Sequence, residues 1–110
     1  MNGDDGIQRI RLTGELEISR KREIRDAFGI VPGAKAALVD LAEVTYADST
    51  ALTELLRFCV TAQRDGIPIA VVIRTQQFAR LVQYAGLANA FRIFEEPGEA
   101  LAYLNECVDA

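Results

Sequence analysis

The apolar residues of this chain change their spacing several times, and each change marks an element. From Ile7 to about Leu16 they alternate, with Gln8, Ile10 and Leu12 on one side and Arg9, Arg11 and Thr13 on the other. That period predicts a strand with one wet face, closed by Gly14-Glu15-Leu16-Glu17. Ser19 can cap a following helix that carries Ile24, Ala27, Phe28 and Val31 on one side, and Pro32-Gly33 breaks it. Ala36–Leu41 is an unbroken apolar run of the kind that makes a buried parallel strand, and 42–47 reads as a loop. After Asp48-Ser49-Thr50, the residues Leu52, Leu55, Leu56, Cys59 and Val60 recur at helical spacing. They predict a central helix from Thr50 to about Arg64, stopped by Asp65-Gly66.

The remainder continues the alternation. Ile67–Ile73 reads as a strand buried on both faces. Thr75 starts a short helix with Phe78, Leu81, Val82 and Ala85 on its stripe, and Gly86 ends it. Phe91–Phe94 is a last short strand, and Glu96-Pro97 opens a final helix with Leu101, Leu104 and Val108 inward, proline sitting where its missing N–H costs nothing. The order β-α-β-α-β-α-β-α with short connections implies an α/β fold with right-handed crossovers and a mainly parallel sheet. Because the first strand is wet on one face, the sheet is expected to be mixed and its about four helices unevenly distributed.

Composition narrows the function classes. The 110 residues make one domain, with 1–6 as a loose acidic, Gly-rich tail and 7–110 as the folded unit. Half the residues are apolar, a quarter charged, and the net charge is −4, which argues against nucleic acid as a partner. No apolar run approaches the roughly 18 residues that span a membrane. There is no His and no CxxC, so imidazole–metal sites and His-based triads are excluded and no metal or cofactor is expected. Cys59 lies on an apolar stripe as a free thiol, and nothing suggests an oxidising compartment, so the expected location is the cytoplasm.

The candidate chemistry is the trio Asp48-Ser49-Thr50. On its own it is a helix N-cap, because a side-chain oxygen there accepts from an orphan N–H. The same place also offers outward N–H groups and the positive end of a helix dipole, which favour added negative charge. On the first helix, Arg20, Lys21, Arg22 and Arg25 oppose that helix's dipole; they form either a solvated face or a docking patch for an acidic surface. Phe58 is read mainly as a residue covered by a neighbouring helix, with an aromatic partner anchor as the alternative.

Three stretches carry a resemblance to a known family. They are Arg11-Leu12-Thr13-Gly14-Glu15-Leu16-Glu17; Val39-Asp40-Leu41-Ala42-Glu43-Val44 followed by Tyr46-Ala47-Asp48-Ser49-Thr50-Ala51-Leu52; and Gly66-Ile67-Pro68-Ile69-Ala70-Val71-Val72 with the later Leu81-Val82-Gln83-Tyr84-Ala85-Gly86-Leu87. In order and spacing the chain resembles the STAS domain, and within it the bacterial anti-sigma factor antagonists. The resemblance implies a single STAS-like domain that is no enzyme. It implies a protein that binds an anti-sigma factor kinase when unphosphorylated, freeing a sigma factor for transcription. Binding is then switched off by phosphate on the serine at the start of the central helix, and a phosphatase restores it. That serine is Ser49; Glu17, Asp48, Thr50, Ala51 and Phe58 complete the expected partner-binding set, and a homodimer is left open. Two residues depart from the family pattern: Ala51 stands where the family has Gly, and Glu17 where it has Asp. The alternative function is a non-switched adaptor subunit of a signalling scaffold or a lipid-transporter complex, with Ser49-Thr50 only capping. An enzyme or nucleotide binder finds little support, since there is no GxGxxG or P-loop.

Overall fold

The computed structural model describes residues 6–86 and 91–109. Four strands, β1 (Ile7–Leu16), β2 (Ala36–Ala47), β3 (Ile69–Ile73) and β4 (Arg92–Phe94), form one sheet in the order β1-β2-β3-β4. Each described pair is parallel. The helices are α1 (Lys21–Ala27), α2 (Ser49–Arg64), α3 (Gln76–Tyr84) and α4 (Pro97–Asp109), with a 3₁₀ turn at Ile18–Arg20 before α1. Each strand lies beside its predecessor in the chain. Crossovers of one hand that always step in the same direction therefore place α1, α2 and α3 on the same face. No strand in the described residues follows α4, and it folds back across the opposite face.

The strands show this layering in their alternation. Ala37, Val39 and Leu41 of β2 and Ile69, Val71 and Ile73 of β3 join the core beneath α1–α3, where Ile24, Leu55, Phe58, Phe78 and Val82 meet them. Their alternate neighbours Ala36, Leu38, Ala70 and Val72 pack with Ile7, Ala100 and Leu104 under α4. A period of two with both sides apolar is what a doubly covered parallel sheet requires. The helices are unevenly distributed, three against one.

Several boundaries differ from the sequence reading; β3, for one, starts at Ile69 rather than Ile67. β2 does not stop at Leu41 but runs to Ala47, so 42–47 is strand. It persists because β1 pairs with it as far as Leu16↔Ala47, through register shifts after Arg11 and Gly14. Ser19 does not cap α1; it lies within the 3₁₀ turn, and the helix starts without a side-chain cap. Val31 is outside α1, which ends at Ala27, and it is exposed. Gly66 has φ +72°, the left-handed conformation that ends a helix after its cap, as expected. Of the loose tail expected over 1–6, all but Gly6 lies outside the described residues.

Candidate functional site

In a parallel sheet every helix N-terminus arrives at the carboxyl ends of the strands, the usual place for a site. Here the ends of β1 and β2 lie side by side, and Asp48 joins them. Its N–H donates to the Leu16 carbonyl at 3.0 Å, prolonging the ladder by one residue. Its Oδ1 accepts from the N–H groups of Thr50 at 2.8 Å and Ala51 at 3.3 Å, capping α2, and its Oδ2 accepts from the Ile18 N–H at 3.1 Å. One carboxylate thus serves two chain segments. Glu17 precedes Ile18 and is half-buried at the same edge, and its carbonyl accepts from the Arg20 N–H.

With Asp48 supplying the cap, the Ser49 hydroxyl is not needed for that role. Ser49 is exposed as the first residue of α2, and its carbonyl accepts from Thr53 Oγ1 at 2.8 Å. Thr50 is half-buried beside it. Ala51 and Phe58 differ in kind: they are 1% and 3% exposed. Phe58 stacks on Phe28 with ring centroids 5.6 Å apart, which places it in the core between α1 and α2 and leaves no area for an anchor. The methyl of Ala51 likewise packs into the main core rather than toward the outside. The structure therefore brings Glu17, Asp48, Ser49 and Thr50 to one edge and withdraws Ala51 and Phe58 from the surface.

The end of β2 is held from a third side. β3 pairs with β2 only as far as Leu41↔Ile73, so the edge of β2 beyond that point needs other partners. Thr75 Oγ1 donates to the Val44 carbonyl. Gln77 on α3 accepts from the Ala47 N–H at 3.1 Å and donates to the Ala47 carbonyl at 2.7 Å, as a strand neighbour would. The loop that presents Ser49 is therefore fixed before any partner arrives.

Next to Ser49 is a shallow groove of about 160 Å³ lined by Lys21, Ser49, Thr50, Thr53, Glu54 and Arg57. Glu54, 3% exposed, is a carboxylate on the inner side of α2, and two arginines approach it: Arg25 of α1 at 3.5 Å and Arg57 at 3.7 Å. A second, wider hollow of about 460 Å³ continues along Lys21, Arg22, Arg25 and Asp26. Arg20 does not share that surface in the same way. It donates to the Thr13 and Glu15 carbonyls, both at 2.8 Å, and to Glu23. Gly14, with φ +79°, turns those two carbonyls toward it. The hydrogen bond with Glu23 raises the pKa of Arg20 and lowers that of Glu23. Arg20 is thus a structural clasp. Sequence reasoning missed Glu54, Arg57 and Gln77; the one available signal was a charged residue, Glu54, in phase with Ala51, Leu55 and Phe58.

A family model described as "Mlab, STAS domain" matches residues 2–95. The chain belongs to the STAS domain family. Among solved structures, this STAS domain is similar to a sulfate transporter family protein from Wolinella succinogenes, with TM-score 0.82, 16% identity, and 96% of this chain and 89% of that one covered. It is similar to an anti-sigma factor antagonist from Mycobacterium paratuberculosis, with TM-score 0.77 and 21% identity over 92% of this chain and 87% of that one. A third is a putative anti-sigma factor antagonist from Thermotoga maritima, with TM-score 0.81 and 18% identity over 92% and 89%. At these identities the likeness concerns the fold. No curated protein matches the chain. Among the described residues of the domain, no helix is long and apolar enough to cross a membrane, and no cluster of His, Cys, Asp and Glu could hold a metal ion.

Proposed function

We propose that this STAS domain is an anti-sigma factor antagonist acting in the cytoplasm by binding rather than by catalysis. Unmodified, its edge at Glu17, Asp48, Ser49 and Thr50 docks an anti-sigma factor of the Ser/Thr kinase type and so releases a sigma factor. Phosphate on Ser49 ends the docking, and a phosphatase renews it. The observation that carries this reading is the exposure of Ser49 at the start of α2 while Asp48 takes over the cap. A hydroxyl free of structural duty can be modified without unfolding the helix. Phosphorylation adds roughly −1.5 to −2 charge, next to Asp48 and Glu17 and in a place that docking must desolvate. A loss of only about 1.4 kcal/mol lowers affinity tenfold, so no rearrangement is required. Two of the similar solved structures are described as anti-sigma factor antagonists, putative in one case, which supports the same reading.

The second reading is an adaptor without a switch, serving a transporter. Its support is the likeness to the sulfate transporter family protein and the family description, which names Mlab. The two readings separate on one experiment. Incubation with the anti-sigma factor kinase and ATP, followed by peptide mass spectrometry, should place phosphate on Ser49. Phosphate on Thr50 or Thr53 with Ser49 unmodified would contradict the assignment, and no phosphate at all would favour the adaptor.

A further inference from the structure

We infer that Lys21 and Arg57 form a receptor, built into this chain, for the phosphate carried by Ser49. The inference rests on the phosphorylation of Ser49 proposed above and concerns what the phosphate does once there. Three observations support it. First, the groove that opens beside Ser49 is lined by cations from two elements, Lys21 at the start of α1 and Arg57 two turns along α2. Helical side chains lean toward the helix N-terminus, so Arg57 extends toward Ser49 rather than away from it. Second, both cations are exposed, and among the described residues the ion pair of Arg57, with Glu54, is a long one. Arg57 stands 3.7 Å from Glu54, longer than a charge-assisted hydrogen bond of about 2.7–2.9 Å. Third, Glu54 has two arginines for one buried carboxylate. If Arg57 turns to a phosphate, Arg25 still stands 3.5 Å from Glu54, and the buried charge is not orphaned. A chain of net charge −4 thus keeps two cations at the one serine that would gain negative charge.

The consequence for regulation is that the phosphate is drawn into the groove instead of projecting into solvent. It fills the hollow between α1 and α2, and it neutralises the cations that an acidic segment of the partner would otherwise meet. The helix N–H groups contribute as well, but they cannot account for a dependence on Lys21.

The test needs neither kinase nor partner. Phosphoserine is incorporated at position 49 during translation, and the second ionisation of the phosphate is followed by ³¹P NMR against pH. A phosphoserine otherwise titrates near pH 6. The midpoint is expected below that value, and it should move upward in Lys21→Gln, in Arg57→Gln and furthest in the double variant. Arg22→Gln, outside the groove, should leave it unchanged. A midpoint indifferent to Lys21 and Arg57 overturns the receptor. The ion pairs of Glu54 among the described residues are with Arg25 and Arg57, not Lys21, so the Lys21 variant stays informative even if Arg57→Gln disturbs folding. Failure of the switch would appear elsewhere, as equal partner binding by the phosphorylated and unmodified chains, with the NMR midpoint unaffected.

Discussion

Asp48 reaches Ile18 across 30 positions of sequence, its Oδ2 accepting the Ile18 N–H at 3.1 Å while its Oδ1 caps α2. The β1–α1 connection and the first turn of the central helix are therefore one unit. Asp48→Ala removes the cap and the link together and should cost about 1–3.5 kcal/mol, from roughly 0.5–2 for a cap and 0.5–1.5 for a hydrogen bond. Asp48→Asn keeps an oxygen for Thr50 but turns an NH₂ toward the Ile18 N–H, and should fall between. Urea unfolding of the three proteins measures the order.

Phe58 packs against Phe28 in the core, so Phe58→Ala should destabilise the free protein by about 3–5 kcal/mol. Unaltered urea unfolding with lost partner binding would return it to the interface.

Ala51 tests what the departure from glycine means. Its methyl points into the core, where it would not obstruct a kinase approaching Ser49. Ala51→Gly should therefore lower stability by up to about 1 kcal/mol through helix propensity, and somewhat more through lost packing. It should leave the rate of phosphate transfer unchanged in a radiolabel assay. Faster transfer would show that the methyl stands in the way.

Glu54 and its two arginines should be strongly non-additive. Arg25→Ala or Arg57→Ala alone removes an exposed cation and should cost no more than about 1 kcal/mol, since the other remains. Together they leave the buried carboxylate without an ion pair, a loss of about 3–5 kcal/mol. A double-mutant cycle in urea checks the excess.

Burial pushes the Cys59 thiol up to about 12. The unfolded chain therefore loses this proton at lower pH than the folded one, and stability falls as pH rises from about 9 toward 12. Unfolding midpoints measured between pH 8 and 11 should decline less steeply in Cys59→Ala than in the unaltered protein. Equal slopes would contradict the burial.

The alternating strand, the doubly apolar strands and the stops of α2 and α3 were legible because each depends on local spacing. Asp48 as a cap was legible for the same reason; its second bond, to Ile18, was not, since it crosses two elements. The length of β2 escaped because 42–47 contains Glu43, Thr45 and Tyr46, exposed residues that look like loop in isolation. They stand in a strand because β1 pairs with them and because Thr75 and Gln77 satisfy the free edge. Leu52 and Leu56, read as the centre of the α2 stripe, are only half-buried, and Val60 is exposed. The true inner face passes through Ala51, Glu54, Leu55, Phe58, Cys59 and Ala62, a phase that three adjacent apolar candidates could not fix.

Control of docking by phosphate on Ser49 can be read in a single comparison. The anti-sigma factor is titrated calorimetrically with the unmodified chain and with the chain carrying phosphoserine at position 49. The unmodified chain should bind, and the phosphorylated one at least about tenfold more weakly, equivalent to about 1.4 kcal/mol or more. Equal affinities, with both proteins folded, would mean that Ser49 is not the switch.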